Sequence, residues 1–275
     1  MNGRGYSVRE RIGQLLSEMN IEYFTVLPYS ALRESAPRII ERANITPRTV
    51  ILYLLPYYGG EMVNLSRYAA SRDYHLIIKE VNLRLSSLIG ECFPNSVSRG
   101  YGDHSPIDER SAALVGGLGI LGDNGLLINE KYGSYVFIGE LITDVEPELL
   151  EASAPGDVSY CHHCGACKAA CPTGILSGEG DSCLSMITQK KGELSDEECR
   201  LMRKYNTLWG CDECQRVCPY NREPRLTPIE FFLEDRICEL DSDTLSGMTD
   251  TDFSERAFAW RGRKTVERNL KILGK

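Results

Sequence analysis

The sequence predicts an α+β fold in two parts: a layered α/β domain over residues 1–152, then a small cysteine-rich domain over residues 153–275. Three observations carry this. Helical and strand periodicities alternate through the first part, nine of the eleven cysteines lie between positions 161 and 218, and the sequence turns loop-rich at "EPELLEASAPGDVSY". The expected boundary therefore falls near residues 148–158.

The elements follow in chain order. "SVRERIGQLLSEMN" reads as an amphipathic helix, with Ser7 and Glu10 as a capping box and Val8, Ile12, Leu15 and Met19 on one face. "IEYFTVL" and "TVILYLLPY" read as strands, and the second, apolar on both faces, is expected at the centre of a sheet. A long helix is predicted across "RDYHLIIKEVNLRLSSLI" and a shorter one across "DERSAALV". "GLLINEKYGSYVFIGELIT" reads as two strands around a turn at Tyr132–Ser134. No solenoid repeat is visible, and the one internal echo lies between two cysteine clusters.

Composition limits the function. The net charge of -8 argues against wholesale binding of phosphate backbones, and "WRGRKTVERNLKILGK" is the one strongly basic tract. Charges interrupt the N-terminal apolar stretch and no run long enough to span a bilayer follows, so neither a signal peptide nor a membrane partner is expected. The expected location is cytoplasmic, where clustered cysteines favour metal over disulfides.

Cys161, Cys164, Cys167 and Cys171 stand at Cys-x2-Cys-x2-Cys-x3-Cys, followed by Pro172, the bacterial ferredoxin spacing for a [4Fe-4S] cluster. Three thiolates of such a tight loop reach one cubane, and the fourth points to a neighbouring one. A second set is therefore required. Cys211, Cys214 and Cys218, with Pro219, repeat the last three positions, and Cys183 is assigned as the missing first ligand. The expected division is Cys161, Cys164, Cys167 and Cys218 on cluster one, and Cys183, Cys211, Cys214 and Cys171 on cluster two, making this part ferredoxin-like. Zinc needs only four tetrahedral ligands and calls for neither the third x2 step nor a Cys-Pro ending used twice. His162 and His163 read as solvated loop residues or donors to cluster sulfur. Cys92, Cys199 and Cys238, without motif context, read as small core residues. Clusters with four thiolates each have no open iron position, so they carry electrons rather than making bonds.

In the first domain "GLGILG" (117–122) matches G-x-G-x-x-G, but a helix precedes it and a strand follows, the reverse of a dinucleotide site. "DYHLII" has Ile78 where a cobalamin-type Asp-x-His-x-x-Gly sequence needs glycine, so it reads as an ordinary helix face. In "YGDHSPIDER", Ser105 is expected at or near the helix cap, Pro106 at the first helical position, and Asp108 and Glu109 in the first turn. Asp103 lies outside that helix and is a candidate for acid catalysis.

Taken together, "SRYAASRDYH", "DHSPIDERSAALVGGLGILGDNGLLI", "YGSYVFIGELIT", the eight ordered cysteines, "CLSMITQKKG", "GCDECQRVCPYN" and "WRGRKTVERN" resemble the epoxyqueuosine reductase family. The resemblance implies cobalamin in the first domain, two [4Fe-4S] clusters that reduce its cobalt, and Asp103 as proton donor. It also implies cofactor contacts from Ser66, Arg67, Tyr68, Asp103 and Arg110 and from the turn Asn124, Gly125, Leu126 and Leu127. The implied reaction is two-electron removal of an epoxide oxygen in tRNA queuosine synthesis, with ferredoxin or flavodoxin as donor. Alternatives are reduction of a small organic molecule, as in reductive dehalogenases, and a non-catalytic electron carrier. The sequence differs from the family in having Ser71 for a usual glycine and Asp123 for a common lysine, and it ends at Lys275, where longer members continue into helical repeats that help hold tRNA.

Overall fold

A computed structural model describes residues 6–275 of the chain; the first five residues of the charged N-terminus lie outside the described residues. Its centre is a four-stranded antiparallel sheet in the order β1 (Phe24–Pro28), β2 (Thr49–Pro56), β6 (Val136–Thr143), β3 (Ser98–Tyr101). Every residue of β2 is buried. Its side chains alternate between two cores: Ile51, Tyr53 and Leu55 face one, and Val50, Leu52 and Leu54 the other. That split is the period-two geometry of a strand covered on both faces, as its continuous apolar run predicts.

The first core is closed by α1 (Val8–Glu18) and α3 (Tyr74–Cys92), which contribute Ile12, Leu16, Ile77, Val81 and Leu85. The Ser7–Glu10 capping box of α1 is formed as expected. The second core takes Ala112, Ala113 and Leu114 from α4 (Glu109–Val115) and borders α2 (Pro37–Ala43) through Ile40. Here the structure corrects one expectation. The cap of α4 is Asp108, which accepts from the Ser111 amide at 3.1 Å, so Pro106 precedes the helix. Ser105 instead accepts from the Ile107 amide and donates to buried Glu140. The two strands expected around Tyr132–Ser134 are present but join different sheets: β5 (Leu127–Ile128) pairs with β4 (Ile120–Leu121), while β6 belongs to the main sheet.

The turn itself has another use. Gly133 adopts a φ of 59°, and a Cβ there would fall 1.9 Å from Asn221 Oδ1. That contact lets the Ser134 amide donate to Asn221 Oδ1 at 2.9 Å, while Asn221 donates back to Ser134 Oγ at 2.8 Å. The turn before β6 thus grips "CPYN". Short helices α5 (Ala166–Ala170), α6 (Leu184–Thr188), α7 (Asp196–Lys204) and α8 (Glu213–Arg216) frame the cysteines.

The remaining chain returns to the main sheet. Ile229 and Phe232 enter the first core, while α9 (Ser242–Gly247), α10 (Asp250–Ser254) and α11 (Arg263–Leu273) build a third around Trp209 and Phe258 with Leu65 and Ala69. The basic C-terminal tract is therefore no loose tail. Arg268 donates to the carbonyls of Lys190 and Gly192, and Arg263 to those of Leu245 and Met248. Of the three cysteines expected in the core, Cys92 and Cys199 are half-buried and Cys238 is exposed, because it sits on the strap that crosses residue 63 at the surface.

Candidate active site and iron-sulfur centres

Four thiols, Cys161, Cys164, Cys167 and Cys218, line one small cavity of about 80 Å³. The loop carrying the first of them is seated by its backbone: the Cys161 amide donates to Leu121 O at 2.9 Å, beside the bridge between Leu121 and Tyr160. Cys164 is exposed, and beside it His162 stacks on Tyr220 at 5.3 Å. His163 Nδ1 lies 2.7 Å from Asp123 Oδ1, while Asp123 Oδ2 faces Lys168 Nζ at 3.6 Å. Asp123, Cys161 and His163 bring donor atoms within 4.8 Å of one another, a metal-like group that shares its thiol with the four-cysteine cavity.

The second nest is deeper. Burial, and then the neighbouring thiol of Cys183, push Cys211 and Cys214 up to about 12. Such crowded thiols favour a cationic group at their centre, since iron holds them as thiolates. Cys183 stands at the N-cap of α6. Cys171, in extended backbone after α5, is partly buried, which raises its pKa, but hydrogen bonds to the backbone at Leu176, Thr173 and Ile175 outweigh this and lower it. The amide nitrogen of Asn124 is buried without an oxygen or nitrogen partner, lines the four-cysteine cavity and lies beside the Cys214 thiol. An orphaned donor among sulfurs fits a bound iron-sulfur cluster.

A third hollow, about 480 Å³, has Tyr68, Tyr74, Asp103, Phe137, Gln189 and Trp260 on its walls. Tyr74 and Phe137 stack at 4.0 Å, and Tyr74 Oη donates to Asp103 Oδ2 at 3.1 Å. Burial, and then the Asp103 carboxylate, hold the Tyr74 phenol protonated far above its usual range, so it remains a donor. Asp103 is exposed in left-handed backbone at a φ of 66°, and its amide donates to Glu109 Oε2 at 3.2 Å. Glu109 is raised to about 7 by burial first and by Asp103 next. Ser185 and Gln189, which flank the hollow, lie on or directly after α6, the helix that Cys183 begins.

Residues 160–221 match the family described as a 4Fe-4S double cluster binding domain. Over 281 residues the chain is 30% identical to the epoxyqueuosine reductase of Listeria monocytogenes, covering 94% of this chain and 72% of that protein. The chain belongs to the epoxyqueuosine reductase family. The family's Escherichia coli member is 35% identical over 173 residues, which span 61% of this chain and 44% of that longer protein. Among solved structures, an epoxyqueuosine reductase with an epoxyqueuosine-modified tRNA-Tyr stem loop shares the fold, at a TM-score of 0.76 and 22% identity over 97% of this chain and 80% of that one. No helix among the described residues is long and apolar enough to cross a membrane.

Within this family frame the candidate cofactor contacts separate into groups. Tyr68 and Asp103 line the large hollow. Ser66 and Arg67 turn instead to Asp212, between Cys211 and Cys214. Ser66 Oγ donates to it, the Arg67 amide donates at 2.7 Å, and Arg67 Nη1 lies 3.2 Å away, with both side chains 8% exposed. Arg110 donates to Gly125 O at 2.6 Å and so holds the turn carrying Asn124, while Leu126 lies on that turn and Leu127 is buried in the second core. Sequence reasoning missed Asp212, Tyr74, Phe137, Gln189 and Trp260. The one signal available was Asp212 itself, an acid between two candidate cluster ligands that demands a cation.

Proposed function

We propose that this chain is an epoxyqueuosine reductase acting on a tRNA anticodon stem-loop. The epoxide takes up two electrons and two protons, both carbon-oxygen bonds at the oxygen break, a carbon-carbon double bond forms, and the oxygen leaves as water. The observation that carries the reading is the double role of α6: its N-cap is Cys183, and Ser185 and Gln189 face the hollow that holds Asp103. Electron supply and proton supply meet across one cavity.

The aromatic walls from Tyr68, Tyr74, Phe137 and Trp260 fit a flat macrocycle such as cobalamin, and these residues with Gln189 would hold it. When bound, cobalamin and the two clusters supply the electrons to the epoxide. The chain's own residues do the rest. Tyr74 orients the Asp103 carboxyl through its hydroxyl, and the Glu109 carboxylate fixes the Asp103 backbone from the other side. Asp103, at the exposed rim, gives its proton to the departing oxygen. Clusters one and two take the ligand sets Cys161, Cys164, Cys167, Cys218 and Cys183, Cys211, Cys214, Cys171. Electrons from a ferredoxin or flavodoxin enter on the exposed Cys164 side.

The decisive experiment is Asp103→Asn in the anaerobically reconstituted enzyme with an epoxyqueuosine-containing stem-loop. Turnover should fall by about 10²-fold or more while both cluster spectra and cobalamin retention persist. Unchanged turnover would remove Asp103 from the mechanism, and failure of the wild-type enzyme on the stem-loop would remove the substrate.

A further inference from the structure

Beside the active-site hollow, on the outer side of the sheet, α3 and β3 enclose a groove of about 420 Å³. Four of its walls are His75, Lys79, Arg99 and His104, and no aspartate or glutamate lines it, in a chain whose net charge is -8. Lys79 and Arg99 are exposed, and neither forms an ion pair among the described residues; Arg99 donates only to its neighbour's carbonyl, Ser98 O, at 2.9 Å. Two other cations close to α3 are engaged: Arg84 pairs with Glu80 on the same helix, and Arg11 with Glu91. An acid-free cleft with two unpaired cations on an acidic protein is a local anion site.

The groove is built rather than incidental. β3 is the edge of the sheet, so its outer main-chain groups have no strand partner. Gly100 and Gly102 let it lie against α3, because a Cβ at Gly100 would meet Asn82 Nδ2 at 2.4 Å and one at Gly102 would meet Ile78 Cδ1 at 2.6 Å. Leu83, 62% exposed, adds an apolar ledge beside the charges. The groove also runs into the active site. His75 lines both hollows, and the consecutive residues Asp103 and His104 face the active-site hollow and the groove respectively.

We propose that this groove is a track for the phosphate backbone of the RNA strand that carries the modified base, with Lys79 and Arg99 as its main phosphate contacts. The proposal rests on the reductase reading for the identity of the RNA. A track that meets the Asp103 loop sets the register of the strand, so that one nucleotide reaches the hollow while its neighbours stay on the α3–β3 surface. Phosphate contacts position a nucleic acid without reading its sequence, which suits a site whose specificity lies in the modified base.

The test is fluorescence anisotropy of a labelled anticodon stem-loop with the reconstituted enzyme across a salt series, alongside steady-state turnover. Lys79→Ala/Arg99→Ala should weaken binding and raise KM about tenfold or more, and flatten the log-log salt slope by about 1.4, or ~0.7 per lost single-strand contact. kcat at saturating stem-loop should stay within about twofold, since uniform binding is what is lost. Arg222→Ala/Arg225→Ala, exposed and outside the groove, removes the same charge and should change neither. Unchanged affinity and slope in the groove variant would overturn the proposal. So would slower cluster reduction by an acidic donor protein with stem-loop affinity intact, which would assign the groove to that donor. A wild-type enzyme that binds through the groove but does not turn the stem-loop over would sink the reductase reading and leave the track standing.

Discussion

The two walls of the active-site hollow differ in kind. The proposed proton wall is exposed and adjustable: Asp103 sits in left-handed backbone on a loop, held by one phenol and one carboxylate. The proposed electron wall is the α6 side, behind which the cysteine nest is half-buried and cross-braced: burial raises the Cys211 and Cys214 thiols, and Asp212 between them is anchored to Ser66 and Arg67, far away in the sequence. A proton donor must exchange protons with water after each turnover. An electron path must hold its distances and exclude water. The difference in burial follows from that difference in task.

The largest effect should come from breaking the brace. Arg67→Met leaves the Asp212 carboxylate buried without its cation, a loss of about 3–5 kcal/mol. Arg67 is also boxed by Tyr58 and Tyr135, with its guanidinium 5.7 and 5.5 Å from their ring centres. Denaturant unfolding should show the destabilisation, and electron paramagnetic resonance of the reduced protein should show the cluster of Cys211 and Cys214 lost before the other. Adding Asp212→Leu should recover part of the stability, because the uncompensated charge goes with it. Loss of the exposed cluster first would break the contrast between the walls.

A smaller effect, on pH dependence, sharpens the proton wall. The folded chain raises Glu109 to about 7 and Glu140 to about 8, burial being the leading cause for both. A carboxyl raised on folding binds more protons in the native state than in the unfolded one between its ordinary value near 4.5 and its raised value. Stability therefore falls as pH climbs through that window. Glu109→Gln should remove its share, so that the drop in melting temperature from pH 5 to pH 8 shrinks and the remainder traces to Glu140 and to His75, which its Asp73 partner raises. An identical drop in the variant would mean that Glu109 titrates normally and that the rim is wetter than its packing implies.

How much of this was legible in the sequence depends on the range of each interaction. β2 announces itself through eight consecutive residues, the cap of α1 through a four-residue box, and the cysteine order through local spacing. Each is encoded within one turn or one strand. Ser105 was misread as a cap because its partner, Glu140, lies on another element, and nothing near residue 105 marks that acid as buried. The brace was illegible for the same reason: Arg67 and Asp212 are 145 residues apart. β3 is four residues with one glycine inside it and another directly after it, and its side chains are half-covered or exposed, so it carries no apolar alternation to read. Trp260, in a basic tract that suggested a tail, reaches the hollow only because α11 packs the tract against the third core.

The subtlest test probes the seam between the walls. Asn124 lies 90 residues before Cys214 in the sequence, yet its side-chain amide is buried without an oxygen or nitrogen partner beside the Cys214 thiol. A hydrogen bond to cluster sulfur stabilises the reduced, more negative state, so its removal makes a cluster harder to reduce. Asn124→Leu keeps the volume but deletes the donor. The midpoint potential of the cluster that Cys214 ligates should move negative, on the order of tens of millivolts, with a smaller shift in the cluster of Cys161, Cys164 and Cys167. Spectroelectrochemical titration resolves the two. Because the fold should survive the change, an unmoved potential would mean that Asn124 merely fills space and that the electron wall is tuned by its own domain alone. A shift confined to the exposed cluster would instead turn the donor toward the cavity it lines, and the seam would act on electron entry rather than on delivery.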